Sequence, residues 1–436
     1  TMSSTIKLYE HNQKAYDALL DMLGERDRAC VIKPTGTGKF VIIAKMVQDN
    51  PDKRFLLLGT NDYMFNDQMA NLAEIAPGFT PENLQFMTYS AAMMAARRGE
   101  EISGYDVVVA DEFHHCGAEE WGKGVTHILD ANGSAKVVGF SATPIRYSDG
   151  GRDMADEMFG GNVAYSMELE EAWLRGILPI PEYIVALYDA PSELEKLAKS
   201  IEAVRDEAAK KRFQKKYEKL RRALTEAGGV REVMGTHLKQ ENAKVVVFCP
   251  NAKKLNEFML LKREWFGAVS KNIHAYRTTC TDPYGERDFL SFKQDESSAL
   301  KVLYCINQLN EGVHVKGIDA IVMVRPTKSP IVYYQQLGRV LSSGESDKPL
   351  VFDLCNNFNS ITGVQEIKSR LAETYREIRA GGDVPPFAPD DFNIVGKVMD
   401  CERLMEELGS SLNLQYSVDE KIAFLEELAA ANGGKL

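Results

Sequence analysis

Apolar residues in this chain come in short, unbroken runs. They read "ACVIKP" (29–34), "FLLLGT" (55–60), "DVVVAD" (106–111) and "KVVGFSAT" (136–143), then "KVVVFCP" (244–250), "KVLYCIN" (301–307), "AIVMVRP" (320–326) and "LVFDLC" (350–355). Runs this short, with no polar alternation, fit strands buried on both faces. Helical stretches separate them, so the pattern predicts an α/β protein with parallel sheets in two groups, at about 29–143 and 244–355. Each run ends in polar, Gly or Pro residues. Ligands of such sheets bind beyond the carboxyl ends of the strands, so the chemistry is expected in those endings.

Between the two groups the pattern changes. Residues 192–239 hold no strand-like run and are rich in Glu, Lys, Arg and Ala. In "KKRFQKKYEKLRRAL" (210–224), Phe213, Tyr217, Leu220 and Leu224 recur at helical spacing among basic residues. This predicts a long amphipathic helix or helical hairpin. "ILPIPEYIV" (177–185), with two prolines, reads as an extended linker into it. Beyond residue 360, "GVQEIKSRLAETYREIRAG", "VMDCERLMEELGSSL" and "DEKIAFLEELAAA" read as helices. The expected divisions are 1–176 for a first sheet domain, 177–240 for linker and insert, 241–357 for a second sheet domain, and 358–436 for a helical C-terminal extension.

Composition narrows the class. The chain has 436 residues, and its 44% hydrophobic and 26% charged content is that of a globular protein. No apolar run reaches the ~18 residues of a membrane span. The opening "TMSSTIKLYEHNQ" lacks the charged-then-apolar order of a secretory signal, so a cytoplasmic location is expected. Thr1 ahead of Met2 points to a start that is not the native one. The seven cysteines (Cys30, Cys116, Cys249, Cys280, Cys305, Cys355, Cys401) form no CxxC pair and read as buried free thiols, not zinc ligands. A net charge of −11 argues against a protein coated in nucleic acid, but not against one local basic channel.

The strand endings carry the candidate chemistry. "KPTGTGKF" (33–40) follows the first strand and precedes the apolar helix "VIIAKMVQ". Strand, glycine turn and helix are the context of a phosphate loop. In the loop that Pro34 opens, backbone N–H groups over Thr35, Gly36, Thr37 and Gly38 attract an anion, and Lys39 adds a charge near the β and γ phosphates of ATP. Two positions depart from the strict pattern. Lys33 stands where Gly or Ala is usual. Phe40 stands where a Ser or Thr hydroxyl would bind Mg²⁺. "DEFHH" (111–115) ends another strand, where Asp111 can hold Mg²⁺ and Glu112 can polarise water. In "SATP" (141–144), Ser141 and Thr143 are small hydroxyl residues suited to linking the two sheets. "YYQQLGRVLSSG" (333–344) carries Arg339, of the kind that stabilises charge in phosphoryl transfer.

"PTGTGK", "DEFHH", "SATP", "LNEGVHV" (309–315) and "QQLGR" (335–339) occur in the order and spacing of superfamily-2 helicases and translocases. The chain resembles their DExH branch, near the motor subunits of type I and III restriction enzymes, from about residue 6 to 355. The resemblance implies two RecA-like domains in tandem, with ATP and Mg²⁺ as cofactors. It makes Gln13, within "YEHNQKAYDAL" (9–19), the base-reading residue. It matches Lys39, Gly36 and Gly38 to phosphate binding, Asp111 to the metal, Glu112 to the catalytic base and His114 to coupling. Gln335 or Gln336 would reach toward the nucleotide, with Arg339 as an arginine finger. Glu311 and Gly312 would sense both nucleotide and nucleic acid. Backbone-gripping segments fall at Thr60 and Asn61, at Thr88, and at Pro250 and Asn251, with Ser141 and Thr143 between.

Implied partners are nucleic acid, with double-stranded DNA favoured, and a nuclease or other protein, since no nuclease signature stands out; a membrane is not among them. The family's last motif usually has a second arginine three positions after the first, and here it is Ser342. Phe40 and Ser342 leave two readings open. One is an ATP-driven helicase or translocase. The other is a nucleotide-binding but catalytically weak clamp or recruitment module. The basic helix at 210–222 reads as a solvated face.

Overall fold

The computed structural model describes residues 5–146, 152–279, 285–306, 317–325, 348–355 and 365–412. Glu311, Gly312, Gln335, Gln336, Arg339 and Ser342 lie outside the described residues, as does Cys280. The chain divides into two compact units, one essentially Thr1–Ala172 and the other essentially from Trp173 on.

The first unit contains strands β1 (Arg28–Ile32), β2 (Phe55–Gly59), β3 (Leu84–Thr88), β4 (Val107–Asp111) and β5 (Lys136–Ser141). A small antiparallel pair follows, β6 (Ile145–Arg146) and β7 (Arg152–Asp153), and then β8 (Val163–Ser166). Its helices are α1 (Glu10–Glu25), α2 (Lys39–Asp49), α3 (Asp62–Ile75), α4 (Tyr89–Arg98), α5 (Glu119–Ala131), α6 (Met154–Phe159) and α7 (Leu169–Leu174). The main sheet runs β3-β2-β4-β5-β1-β8, with every pair parallel.

Alternate residues of the central strands feed two separate cores. Val31, Leu57, Val109 and Phe140 enter one apolar cluster, while Ile32, Leu58, Val108 and Val137 enter another. A strand with both faces covered has no use for polar alternation, which explains the unbroken apolar runs. Each fully buried Val, Leu or Phe contributes about 1.5–3 kcal/mol.

The second unit contains β9 (Glu182–Leu187), β10 (Lys244–Cys249), β11 (Ile273–Thr278), β12 (Leu300–Ile306), β13 (Ala320–Arg325), β14 (Leu350–Cys355) and β15 (Ile394–Val395). Their order is β11-β12-β10-β13-β14-β9-β15, again all parallel. Two tandem parallel-sheet domains of the RecA type are thus present, as expected. Between β9 and β10 lie α8 (Ala190–Glu202), α9 (Glu207–Ala227) and α10 (Val230–His237), and α11 (Ala252–Leu260) follows β10. In α9, Leu220 and Leu224 are buried, with Phe213 and Tyr217 half-buried beside them. Helices also cover Gln365–Ala380 and Glu402–Leu412.

All eight apolar runs are strands. The stretch read as a linker differs: "EYIVAL" is β9, paired to β14 on one side and β15 on the other. Pro179 and Pro181 precede its first residue, so they remove no ladder donor from it. Cys30, Cys116, Cys249, Cys305, Cys355 and Cys401 are buried free thiols. Among the described residues no group of three or more His, Cys, Asp and Glu is placed to hold a metal, and no helix is long and apolar enough to cross a membrane.

Candidate nucleotide site

The site is built at the carboxyl ends of β1, β4 and β5, where the topology brings three sequence segments together. The β1–α2 loop turns on Gly36 (φ 82°) and Gly38 (φ 85°), both left-handed. A Cβ at Gly38 would sit 2.5 Å from Asn12 Nδ2, so any other residue would have to displace that buried amide as well as adopt a left-handed φ. Thr37 Oγ1 donates to the Pro34 carbonyl (2.7 Å) and closes the turn. Lys39 is the first residue of α2.

Lys39 Nζ lies 3.0 Å from Glu112 Oε1, and the two side chains are only 7% and 8% exposed. Glu112 follows β4 at φ 51°, the one non-glycine residue with positive φ among the described residues. Strained backbone of this kind persists where the surroundings impose it, and it concentrates at functional sites. Its amide donates to Asp111 Oδ1 (3.1 Å), and the Asp111 carbonyl accepts from the buried Tyr89 hydroxyl (2.7 Å). Asp111 is therefore fixed at both its backbone and its carboxylate.

From Glu112 the contacts continue to β5. His114 Nδ1 is 3.5 Å from Glu112 Oε2 and 2.7 Å from Ser141 Oγ. Ser141 Oγ donates its own proton to the Thr143 carbonyl (2.7 Å), so in this bond His114 Nδ1–H must be the donor. Thr143 N donates back to Ser141 Oγ (3.3 Å). Two hydrogen-bonded sets, Lys39–Glu112 and His114–Ser141–Thr143, thus lie side by side, with His114 Nδ1 3.5 Å from Glu112 Oε2. Ser141 and Thr143, expected among the nucleic-acid contacts, are buried here and joined to the histidine.

Lys33 is fully buried beneath the loop. Its ammonium donates to Asn12 Oδ1, lies 2.9 Å from His11 Nδ1 and 3.4 Å from the Thr37 carbonyl, and sits 5.7 Å from the centre of the Tyr165 ring. Burial, and then the charge of Lys39, lower its pKa to about 7. Burial, and then the charge of Lys33, lower that of His11 to about 4. The loop and α1 are therefore joined through His11 and Asn12. Gln13, the expected base reader, is exposed and bonds Asp17 on its own helix (2.8 Å).

Phe40 is 8% exposed and belongs to the apolar cluster behind α2. Its ring meets Phe65 edge-on (centroids 6.2 Å, 78°), and Phe65 stacks on Phe86 (4.4 Å, 5°). The ring is held in the core.

Three of the remaining expected contact residues are helix caps. Asn61 accepts from Met64 N at the start of α3, Thr88 from Ala91 N at α4, and Asn251 from Lys254 N at α11. Thr60 is half-buried and Pro250 is buried. Asn12, Lys33 and Tyr89 carry more of the site than the sequence indicated. Lys33 was the visible signal, a long cation where a small residue is usual.

Two family models match in tandem: "Type III restriction enzyme, res subunit" over residues 5–146, and "Helicase conserved C-terminal domain" over 216–344. With both matches in this order the chain resembles superfamily-2 helicases, and among them the motors of restriction enzymes. A protein of the Sulfolobus islandicus filamentous virus that carries a provisional helicase name is 23% identical over 361 residues, 74% of this chain and 60% of that one. A "51.5 kDa protein" of a Lactococcus phage is 24% identical over 75% of this chain and 65% of its own length. The chain thus spans less than two thirds of either relative.

Among solved structures, the ATP-dependent type ISP restriction-modification enzyme LlaBIII, bound to DNA, matches 95% of this chain and 33% of its own (TM-score 0.58, 15% identity). Dbp5 of S. cerevisiae, bound to RNA and ADP BeF3, matches 92% of this chain and 98% of its own (TM-score 0.52, 13% identity). At these identities the likeness is one of fold.

Proposed function

We propose that the chain is an ATP-dependent translocase or helicase acting on nucleic acid, with DNA favoured over RNA, and that the loop at 33–40 binds Mg-ATP. The buried Lys39–Glu112 pair, with the His114–Ser141 pair beside it, carries this reading. The loop also fits a phosphate. Its two left-handed glycines leave the backbone open, and the Thr35 hydroxyl is buried with no protein hydrogen-bond partner among the described residues. A bound phosphate would satisfy it.

Pro34 to Gly38 and Lys39 would hold the phosphates, and Asp111 the metal. Mg-ATP supplies the phosphoryl group and the charge that the site neutralises. Glu112 accepts a proton from water, once Lys39 has left it for phosphate. His114 orients Glu112 and reports its position to Ser141 and Thr143. The family resemblance would add Gln336 and Arg339, with Glu311 and Gly312, to this set. The preference for DNA rests on the restriction-enzyme family model. The site residues and the division into 1–176, 177–240, 241–357 and 358–436 belong to the same proposal, with β9 now counted in the second sheet.

The second reading, a weak nucleotide-binding clamp, is favoured by Phe40, which offers no hydroxyl to the metal. ATPase assays with single- and double-stranded DNA and RNA separate the two. Stimulation by nucleic acid that Lys39→Ala abolishes supports the motor. No turnover in the parent, with turnover appearing in Phe40→Ser, supports the clamp.

A further inference from the structure

We infer that helix α9 is an accessory phosphate-binding stripe that tracks one nucleic-acid strand outside the motor's own motifs. This rests on the reading of the chain as a nucleic-acid motor.

The helix sorts its charges by face. Leu220 and Leu224 are buried, with Phe213 and Tyr217 half-buried on the same side. Lys210 pairs with Glu202 (2.9 Å), and Lys216 with Glu407 of the helix at 402–412 (2.6 Å). On the opposite face stand Arg212, Lys215, Lys219 and Arg222, with Lys211 beside them, all exposed. None of these five has an ion pair among the described residues. The single acidic residue between Arg212 and Arg222 in sequence, Glu218, is already paired to Arg221 (2.8 Å).

A solvated helix face normally mixes both signs and bridges them at i,i+4, as the preceding helix α8 does with Glu195 and Lys199 (2.7 Å). Here the spacing i, i+3, i+7, i+10 places four cations in one line. At about 1.5 Å per residue the line is about 15 Å long. One strand of duplex DNA carries a charge about every 3.4 Å, so about four phosphates match four cations. In a chain of net charge −11, such a stripe stands against the overall balance. Its occupant is a linear polyanion, and it contributes affinity without reading sequence.

The test substitutes Arg212, Lys215, Lys219 and Arg222 together with glutamine, which keeps helix propensity. Binding of a fluorescent single strand to the full chain is followed by anisotropy from 50 to 200 mM salt. Each lost contact should flatten the slope of log K against log salt by about 0.7. The quadruple variant should therefore lose about 3 from the slope, so that its affinity falls about 50-fold less than the parent's across that range. Exchanging Arg for Lys and Lys for Arg at the four positions should restore the parent slope. An unchanged slope in a glutamine variant that melts like the parent overturns the inference. If the parent itself binds no nucleic acid, the motor reading fails, and the stripe with it.

Discussion

Lys39 Nζ and Glu112 Oε1, 73 positions apart in sequence, meet at 3.0 Å in a site almost closed to water. The same ammonium cannot neutralise Glu112 and a phosphate equally well. While Lys39 holds the carboxylate, Glu112 is a poor base. In the proposed reaction phosphate would compete for Lys39 and free Glu112, so that the substrate itself would arm the base. Glu112→Gln should lower kcat by about 10²–10⁴. ATP should bind at least as tightly as in the parent, because the amide holds Lys39 less firmly. Nucleotide titration beside steady-state turnover checks both, and weakened binding would contradict this division of roles.

Phe40→Ser acts in two directions. It offers a hydroxyl to the metal and should raise turnover by up to about 10²–10³, if the missing group was worth ~2–4 kcal/mol. It also removes a buried ring packed on Phe65, which should cost about 3–5 kcal/mol of stability. Denaturant midpoints and ATPase rates at low temperature separate the effects. A stability loss with no gain in rate would show that the residue at position 40 does not limit turnover.

Ser141→Ala cuts the His114–Ser141 bond of 2.7 Å while leaving the phosphate loop intact. ATP affinity should hold. Stimulation by nucleic acid should fall about 5- to 150-fold, the range of coupling free energies between sites. Equal stimulation in variant and parent would show that coupling takes another route.

The buried Lys33 predicts a pH dependence of stability. Its pKa is about 7 in the folded chain and ordinary, near 10.5, when unfolded. Between those values the unfolded state holds the extra proton, so stability rises with pH across about 7 to 10.5. Below about pH 7 the ammonium is charged in both states, and its burial penalty is present in full. His11, lowered to about 4 from 6.5, adds a rise in the same direction at more acid pH. Lys33→Met should flatten the upper limb and raise stability at neutral pH. Urea midpoints at pH 6, 8 and 9.5 decide it.

The central strands were legible because burial on both faces leaves a run with no polar breaks. Val107 to Ala110 is the plainest case, each residue falling into one core or the other. Edge strands escaped for the converse reason. β3 ("LQFMT") and β11 ("IHAYRT") are half-exposed and carry Gln85, His274 and Arg277. β9 escaped because its flanking prolines outweighed its apolar run. In the site, spacing located Lys39, Asp111, Glu112 and His114, since motif order survives in one dimension. It could not show that Lys33 turns toward His11 and Asn12, or that Phe40 turns into the core. Those are outcomes of packing between segments distant in the chain.

β9 has a further consequence for how the second unit is held together. It precedes the helical insert, yet in the sheet it lies between β14 and β15, which come from far later in the chain. A protease cut in the exposed turn at Ala203–Asp206, between α8 and α9, would therefore not release the amino-terminal piece. The two fragments would remain one folded object, clasped by ladders on both edges of β9, and they should reassemble when expressed apart and mixed. A fragment beginning at residue 241 would lack that clasp and leave the β14 edge open to pairing with other chains.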